Sequence, residues 1–292
     1  MRVLVAGGTG MLGAPVVRHL VQAGHRVRVL TRSAEKARRT LGPEIEVALG
    51  DVEDPPSLGA AVKDCQALHV SLRGADSWRS YQQVENLGLL SLLAAARTAG
   101  IRHVTYLSGA GRTKGFEHLP PIEVKLAAEK AIRRSGIDFT IFRATHFMES
   151  LDLFIDGERA TILGNQPHRY RYLAARDFAV LVASALTTEG ARGRVLYAFG
   201  PQAFTMAEAL RRYLGALRPG MRMSQLPIPV AKLIGTVTFN RRLRFAAGLF
   251  EGFAVIGEEG NPEECDALLG KPRTTLDEWL QARAARSIAG GR

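Results

Sequence analysis

Short apolar runs rich in β-branched residues alternate with longer segments of helical periodicity through the first half of the chain. Such alternation is typical of a parallel sheet whose strands are connected by crossover helices. The predicted strands are residues 3–6, 26–30, 46–49, 67–71, 103–108 and 139–143. The predicted helices are residues 12–23, 34–41, 56–62, 84–99 and 122–135. The pattern therefore predicts an α/β protein with a doubly wound parallel sheet.

Three glycines mark the ends of predicted helices. Gly24, Gly100 and Gly136 each lie just past a helical segment. A helix often ends at a residue in the left-handed conformation, which glycine adopts without a Cβ clash. These three stops support the alternating assignment.

The pattern is looser after about residue 148. Strands are predicted at residues 171–173 and 194–199, and Asp177 is expected to cap the helix between them. Thr205 is expected to cap another helix, which runs to about residue 217. The segment 226–257 mixes apolar stripes with arginines, which indicates either a helix at a membrane surface or packing over a substrate cleft or core.

The chain is predicted to close with an amphipathic helix. Thr275 is followed three residues later by Glu278, which is the arrangement of a capping box. The C-terminal half is therefore expected to form a smaller, mostly helical lobe.

The composition is that of a globular protein: 46% of the 292 residues are hydrophobic, which is enough for a substantial core. No apolar run approaches the roughly 18 residues that span a bilayer, so no integral membrane segment is expected. The chain starts on a strand without a signal sequence, which favours a cytoplasmic location. Cys65 and Cys265 are isolated, and no histidine, His118 included, has metal-ligand spacing, so neither a disulfide framework nor a metal site is expected.

The formal net charge of +11 raises the question of a nucleic-acid partner, because basic surfaces attract phosphate backbones. Seven of the 39 basic residues are lysines and 32 are arginines, scattered in short groups such as Arg38 and Arg39. No basic tract is interleaved with aromatic residues, and no helix-turn-helix or RNA-binding signature is present. The distribution favours solvated arginine-rich faces, and no nucleic-acid partner is expected.

The segment GGTGMLG, residues 7–13, follows the first predicted strand and opens the first helix. Glycines at these spacings allow a tight turn and let a pyrophosphate approach backbone amides at a helix N-terminus. The strand and helix around the motif favour a dinucleotide-binding turn of the Rossmann type over the alternative, an ordinary glycine turn. The turn residues expected to contact the cofactor are Gly7, Thr9, Gly10, Met11, Leu12 and Gly13.

The end of the second strand indicates which dinucleotide is bound. An NAD-preferring site carries an acidic residue there for the ribose 2′-hydroxyl, whereas this chain has Thr31 and Arg32. The planar guanidinium of Arg32 can pair with a 2′-phosphate, so NADP(H) is the predicted cofactor. The alternative is a solvated loop arginine.

With these motifs the chain resembles the atypical short-chain dehydrogenase/reductase superfamily, in its NmrA-like and isoflavone-reductase-like branch. The matching pieces are GGTGMLG, LTRS, GDVEDPPSL, VENLGLLSLLAAARTAGIRHVTYLS, KLAAE, FTIFRATHFMES and, in a looser C-terminal match, LLGKPRTTLDEWL. The resemblance implies that Asp51 contacts the adenine with Val52 beside it, and that Ser71 and Leu72 pass the cofactor.

The resemblance also suggests a division of the chain. A Rossmann domain is expected over residues 1–148, completed by about 171–200. A smaller substrate lobe is expected over residues 149–170 and 201–292.

The superfamily's usual YxxxK pair is absent, because no tyrosine has a lysine four residues later and Pro121 stands four residues before Lys125. In the isoflavone-reductase-like branch a lysine in a KxxxE setting is associated with the cofactor and the proton, and Lys125 with Glu129 fits that pattern. Partial desolvation is expected to lower the pKa of Lys125. The alternative is a surface ion pair between Lys125 and Glu129.

Further candidates follow the fifth and sixth predicted strands. Ser108 either bonds a substrate carbonyl or merely finishes its strand. His146 is a candidate for the polar wall of the cleft, although a structural histidine is the commoner use. Phe147 and Met148 are expected to line the substrate pocket, with core packing as the alternative.

Two functions agree with these features. The first is an NADPH-dependent reductase that passes hydride to a small apolar acceptor such as a quinone or enone. A quinone needs less help from a protein acid than a ketone does, so the missing tyrosine is tolerable. The second is a non-catalytic NADP(H)-binding redox sensor or assembly factor that acts through a protein partner. A nucleotide-sugar epimerase or dehydratase ranks below both, because it normally depends on the absent tyrosine–lysine pair.

Overall fold

The computed structural model describes residues 1–111, 114–117 and 119–290, so His118 lies outside the described residues. The strands are β1 (Arg2–Ala6), β2 (Arg26–Thr31), β3 (Glu46–Leu49), β4 (Ala67–Val70), β5 (His103–Gly109), β6 (Asp138–Ala144), β7 (Ile155–Asp156), β8 (Arg159–Leu163), β9 (Arg169–Arg171), β10 (Arg194–Tyr197), β11 (Ala203–Thr205) and β12 (Met223–Leu226). The α-helices are α1 (Gly13–Gln22), α2 (Ala34–Leu41), α3 (Leu58–Val62), α4 (Trp78–Tyr81), α5 (Gly88–Thr98), α6 (Pro120–Arg134), α7 (Ala175–Thr187), α8 (Met206–Leu217), α9 (Ile228–Val237), α10 (Arg241–Val255), α11 (Glu263–Leu269) and α12 (Leu276–Gly290).

The main sheet is parallel, with the strand order β10-β6-β5-β4-β1-β2-β3 across the described part of the chain. The order reverses between β1 and β4, where the chain leaves β1 first to one side and later to the other. Ligands of open α/β sheets bind beyond the carboxyl ends of the strands at this switch point. The predicted α/β, doubly wound fold is confirmed.

The side chains of β1 show why both faces of the sheet are covered. Val3 and Val5 belong to one buried cluster with α1 and α7, whereas Leu4 and Ala6 belong to a second cluster with α3, α5 and α6. Successive side chains of a strand point to opposite faces. The continuous apolar run VLVA, residues 3–6, therefore supplies both cores.

The predicted helix at 84–99 has a different form in the structure. The chain forms α4, then a π-helical segment at Gln82–Leu87, and only then α5. A π-helical turn inserts extra backbone into a helix and often occurs at functional sites. Val84 of this segment and Ser80 of α4 line the cleft described below, and Tyr81 of α4 lines the second cavity.

The helix ends agree with most capping predictions. Gly24, Gly100 and Gly136 have φ values of 81°, 74° and 77°, as expected for left-handed helix ends. Thr205 caps α8 through a complete capping box with Glu208. Thr275 accepts a bond from the Glu278 amide and Glu278 accepts one from the Thr275 amide, as predicted for α12.

Two predictions in the second half are corrected. Asp177 does not cap α7, which starts after Ala174; its carboxylate accepts bonds from the amides of Arg273 and Thr274 and so fastens the segment before α12. The strand predicted at 171–173 lies at Arg169–Arg171 and pairs antiparallel with β11.

The remaining elements form the C-terminal part of the fold. β8 pairs antiparallel with β7 and parallel with β12. The helices α9 and α10 form a hairpin, and α12 packs against α8. Among the helices of the described residues, none combines the length and hydropathy that a bilayer-spanning segment requires.

Candidate functional site

The glycine-rich turn forms a close junction between β1 and α1. Gly7 has a φ of 84°, and a Cβ there would overlap the carbonyl oxygen of Ser71. A Cβ at Gly13 would overlap the carbonyl oxygen of Gly7. Gly10 is exposed, and a Cβ on it would approach only the Gly7 carbonyl oxygen, at 3.2 Å. The turn therefore leaves an open face at the start of α1, as a bound pyrophosphate requires.

A cleft of about 390 Å³ extends from this turn across the carboxyl ends of β1, β2 and β4. The predicted cofactor residues on its wall are Gly7, Thr9, Gly10, Thr31, Arg32, Asp51, Val52, Ser71 and Leu72. The other three members of the turn do not line it. Met11 is 41% exposed, Leu12 packs against the core, and Gly13 is buried.

The part of this cleft next to the end of β2 carries two cationic side chains. Arg32 has an exposed side chain whose guanidinium lies 3.6 Å from the Asp51 carboxylate. Lys36 lines the same cleft from the first turn of α2, where Ser33 caps the helix. Both cations are free to move toward an anion, because a surface pair at this distance contributes little.

Lys125 makes an ion pair that its sequence neighbours did not indicate. Its ammonium lies 2.7 Å from a carboxylate oxygen of Glu85, in the π-helical segment, and Glu85 is only 3% exposed. The same ammonium donates to the Tyr106 hydroxyl and the Leu107 carbonyl oxygen, both at 3.4 Å. Burial by itself lowers the pKa of Lys125, but the charge of Glu85 and the hydrogen bonds to Glu85 and Tyr106 outweigh it. The pKa is therefore raised, and the predicted lowering is wrong.

The carboxylate of Glu129 is used elsewhere. It accepts two hydrogen bonds from Arg143, at 2.9 and 2.7 Å, and one from the Ser108 hydroxyl at 2.7 Å. The surface Lys125–Glu129 pair considered as the alternative is not formed. Ser108 therefore lies near the end of its strand, and its hydroxyl donates to a buried carboxylate.

A second cavity, of about 170 Å³, lies beyond the carboxyl ends of β5 and β6 under the α9–α10 hairpin. Its walls are mainly apolar, with Ile122, Phe253 and Ile256 among them, and Lys125 and His146 supply polar atoms. The two spaces adjoin through one segment: Ser80 and Val84 line the cleft, and Tyr81 lines the cavity. A ligand in the cavity would thus lie beside one end of a ligand in the cleft.

His146 is held by aromatic rings on the cavity wall. Its ring packs edge-on against Tyr170 and Phe253 and stacks on Tyr172. Burial lowers the pKa of His146 to about 4, so its imidazole is neutral at neutral pH. The Tyr170 hydroxyl lies 2.7 Å from the carbonyl oxygen of Ile256 and 3.0 Å from that of Phe253, and its single hydrogen bonds this pair of acceptors at the end of α10.

Phe147 and Met148 lie away from this cavity. Phe147 is 6% exposed and packs edge-on against Phe178, while Met148 is 1% exposed in the cluster under α8 and α12. The chain turns after β6, so consecutive side chains enter different packing layers. The prediction that both line the substrate pocket is corrected, and the core alternative describes them.

Sequence reasoning missed several residues that the fold brings to the site. Glu85, Tyr81 and Phe253 are distant from Lys125 in the chain, and only the folded arrangement brings them together. The sequence contains one indication of the role of Glu85, which is the single carboxylate within the largely apolar helical run VENLGLL. The described residues contain no group of three or more histidine, cysteine or acidic side chains placed to hold a metal ion.

A glycine turn at the first strand, an open cleft at the switch point and a parallel sheet together define a dinucleotide-binding α/β protein. The chain belongs to the NAD(P)H-binding family, whose model matches residues 7–189. This confirms the predicted type of cofactor. The predicted resemblance is also confirmed at the level of family and fold.

The proteins similar to this chain over most of its length include an assembly factor and a reductase. The chain is 28% identical to the photosystem II assembly factor Ycf39 of Synechocystis sp., over 99% of this chain and 92% of that protein. It is 27% identical to an NAD(P)H azoreductase of Xenophilus azovorans, over 97% and 98% of the two chains.

A solved structure supports the fold. The triphenylmethane reductase of Citrobacter sp., complexed with NADP(H), is similar with a TM-score of 0.74 and 23% identity, over 97% of this chain and 99% of that one.

Proposed function

We propose that this protein is an NADPH-dependent reductase that transfers hydride to a small apolar acceptor such as a quinone or an enone. The observation that carries the proposal is the adjoining pair of spaces: a polar cleft at the glycine turn and an apolar cavity at the ends of β5 and β6. Binding sites for small apolar ligands are typically concave and apolar with a few polar groups. The azoreductase relative and the quinone oxidoreductase of Escherichia coli, similar in fold with a TM-score of 0.71, agree with this class.

Residues of the cleft suit the pyrophosphate and the adenosine half of the dinucleotide. The open turn at Gly10 suits the pyrophosphate, and Asp51 and Val52 suit the adenine. Arg32 and Lys36 provide positive charge for a 2′-phosphate, which favours NADP(H) over NAD(H). Bound NADPH would supply the hydride.

The residues around the cavity have distinct roles in this proposal. Lys125, kept protonated by Glu85, holds the nicotinamide ribose and contributes positive charge near the acceptor. His146 is neutral and therefore offers an N–H to the acceptor oxygen rather than a full proton. Ser108 positions Glu129, because its hydroxyl is already engaged there. The acceptor anion then takes its proton from solvent. A quinone acceptor tolerates this late protonation, because the hydroquinone anion is comparatively stable.

The test is NADPH oxidation with a panel of quinones and enones, comparing the wild type with His146→Phe and His19→Phe. His146→Phe removes the N–H in the cavity and should lower kcat on the order of tenfold to a hundredfold without changing the NADPH Kd. His19 lies on α1 outside the cavity, so His19→Phe should leave both unchanged. No turnover of any acceptor by the wild type, despite tight NADPH binding, would overturn the proposal.

A second candidate is a non-catalytic NADP(H)-binding protein that acts through a partner. Two observations favour it: Lys125 and Ser108 are both engaged by buried carboxylates, and the assembly factor of Synechocystis sp. matches over nearly the whole chain. This candidate predicts NADPH binding without oxidation, together with a protein partner whose affinity depends on NADPH.

A further inference from the structure

The α9–α10 hairpin presents an exposed apolar face that the reductase proposal does not use. Val230, Leu233, Ile234 and Val237 are 41%, 63%, 41% and 68% exposed. Their spacing of three, four and seven residues places them on one side of α9. Phe239, at the tip of the hairpin, is 86% exposed. Together these five side chains form the hairpin face.

The opposite side of α9 packs against α10, so the hairpin face is not the side of α9 that belongs in the protein core. Ala231 and Gly235 are buried against α10, and a Cβ at Gly235 would lie 2.7 Å from the Arg244 side chain. Ile228 packs into the same small cluster with Ala247. Helix α9 therefore has two apolar sides, of which one faces the protein and one faces solvent.

The turn that carries Phe239 has an uncommon backbone. Phe239 has a φ of 54°, which is rare for a bulky residue, and strain of this kind tends to persist where function requires it. Asn240 then caps α10 by accepting a bond from the Leu243 amide. The tip is thus a defined turn that projects an aromatic ring outward.

The α9–α10 hairpin itself carries more cations than carboxylates. Residues 228–255 contain Lys232, Arg241, Arg242 and Arg244 but a single acidic residue, Glu251. Arg241, Arg242 and Arg244 are exposed directly after the tip. Lys232 pairs with Glu251 of α10 at 2.7 Å, and Arg242 lies 3.5 Å from Asp76, which comes from outside the hairpin.

We propose that the hairpin face docks on the surface of an anionic lipid bilayer. Apolar side chains with an aromatic tip and a basic rim are the features of a helix that lies in the membrane interface, where arginines contact anionic headgroups. A nucleic-acid surface would use the arginines but leave Leu233, Val237 and Phe239 in water. This inference is independent of the proposed reductase activity.

The position of the hairpin adds a consequence. Helix α10 lines the apolar cavity with Leu249 and Phe253. The docked face and the cavity therefore belong to one hairpin, which places the cavity close to the bilayer.

The experiment is flotation of the full chain with vesicles of phosphatidylcholine alone or mixed with phosphatidylglycerol. The wild type should bind the mixed vesicles, bind neutral vesicles less, and lose binding as salt is raised. The double variant Leu233→Ser, Phe239→Ser should weaken binding at least about tenfold. The matched control is Leu90→Ser, which removes a 45% exposed leucine from α5, far from the hairpin face along the chain.

A second pair of variants tests the charge. Arg241→Glu with Arg242→Glu should weaken binding to mixed vesicles, whereas Arg97→Glu with Arg134→Glu, which changes charge equally on α5 and α6, should not. NADPH titration and thermal midpoints near those of the wild type show that each variant is folded.

Three results would overturn the proposal. The first is equal vesicle binding by the hairpin variants and their controls. The second is a dimer, measured by light scattering, that the Leu233→Ser, Phe239→Ser variant dissociates, because a second copy would then cover the face. The third is tight binding to duplex DNA that the arginine variants abolish, in the absence of vesicle binding.

Discussion

Individual side chains in this protein acquire their roles from partners distant in sequence. Lys125 pairs with Glu85, and Glu129 pairs with Arg143 and Ser108, although Lys125 and Glu129 are spaced to pair with each other on α6. Burial explains the choice, because a buried carboxylate requires a cation or several donors close by. Each cation at this site therefore has its own carboxylate.

Arg32 provides a test of cofactor choice. Arg32→Ala should raise the NADPH Kd about tenfold or more and leave the NADH Kd nearly unchanged, because only NADPH carries the 2′-phosphate. Titration calorimetry with both nucleotides measures the effect. Arg39→Ala, which removes another exposed arginine from α2, is the control and should change neither constant. An equal loss of affinity for both nucleotides would contradict the role given to Arg32.

Glu129 provides a test of stability. Glu129→Ala should lower the free energy of unfolding by about 3 kcal/mol, because Arg143 and Ser108 would lose a partner in a buried setting. Urea denaturation measures the change. Glu123→Ala removes an exposed carboxylate from the same helix and should cost far less. Similar losses in the two variants would show that the buried network contributes little.

At the scale of elements, the β1–turn–α1 unit and the π-helical segment position the site. The glycine turn sets the distance between strand and helix, since Gly7 and Gly13 approach neighbouring carbonyl oxygens too closely for a Cβ. The π-helical segment brings Glu85 to Lys125, and its Val84 lines the cleft. The turn acts through local backbone geometry, whereas the contact between Glu85 and Lys125 also requires the packing of α6 against the π-helical segment.

The two glycines of the turn predict different outcomes. Gly10→Ala should leave a folded protein, because the added Cβ meets only the Gly7 carbonyl oxygen, 3.2 Å away, but the methyl group should block the pyrophosphate and abolish most NADPH affinity. Gly13→Ala should instead destabilise the fold, because its Cβ would overlap that carbonyl oxygen. Thermal melts with and without NADPH distinguish the two. Full cofactor affinity in Gly10→Ala would refute binding at the open turn.

At the scale of the whole molecule, three buried histidines connect stability to pH. Burial lowers the pKa of His69 to about 3 and those of His103 and His146 to about 4, from an ordinary value of 6.5. His69 bonds Thr105 and Ser71, and His103 bonds Thr140. The folded state therefore binds fewer protons than the unfolded state as the pH falls below 6.5.

Acid should consequently destabilise the protein. The stabilisation from these histidines is complete above about pH 6.5 and is lost as the pH falls toward 4, with a slope of about 1.4 kcal/mol per pH unit for each histidine. Urea denaturation at a series of pH values in this window measures the slope. His103→Gln should reduce the slope by about a third, and an unchanged slope would refute the linkage.

The sequence by itself determined the sheet, its crossover helices, the dinucleotide turn and most helix caps. These features follow from patterns within a few residues: apolar periodicity, glycine at left-handed positions, and side chains that cap adjacent amides. Thr205 and Gly100 illustrate this, because each acts on its own turn of chain. Interactions within a few residues were therefore sufficient to predict these helix ends.

Only the tertiary structure decided the partners of Lys125 and Glu129, the π-helical segment, and the burial of Phe147 and Met148. The same sequence periodicity is compatible with a core side chain or a pocket side chain, and the packing of distant elements chooses between them. The pKa of Lys125 shows this most directly, since burial alone would lower it and the carboxylate of Glu85, forty residues earlier in the chain, reverses the direction. The elements of the fold follow from local sequence patterns, whereas the chemistry of the site depends on which charged residues the fold brings together.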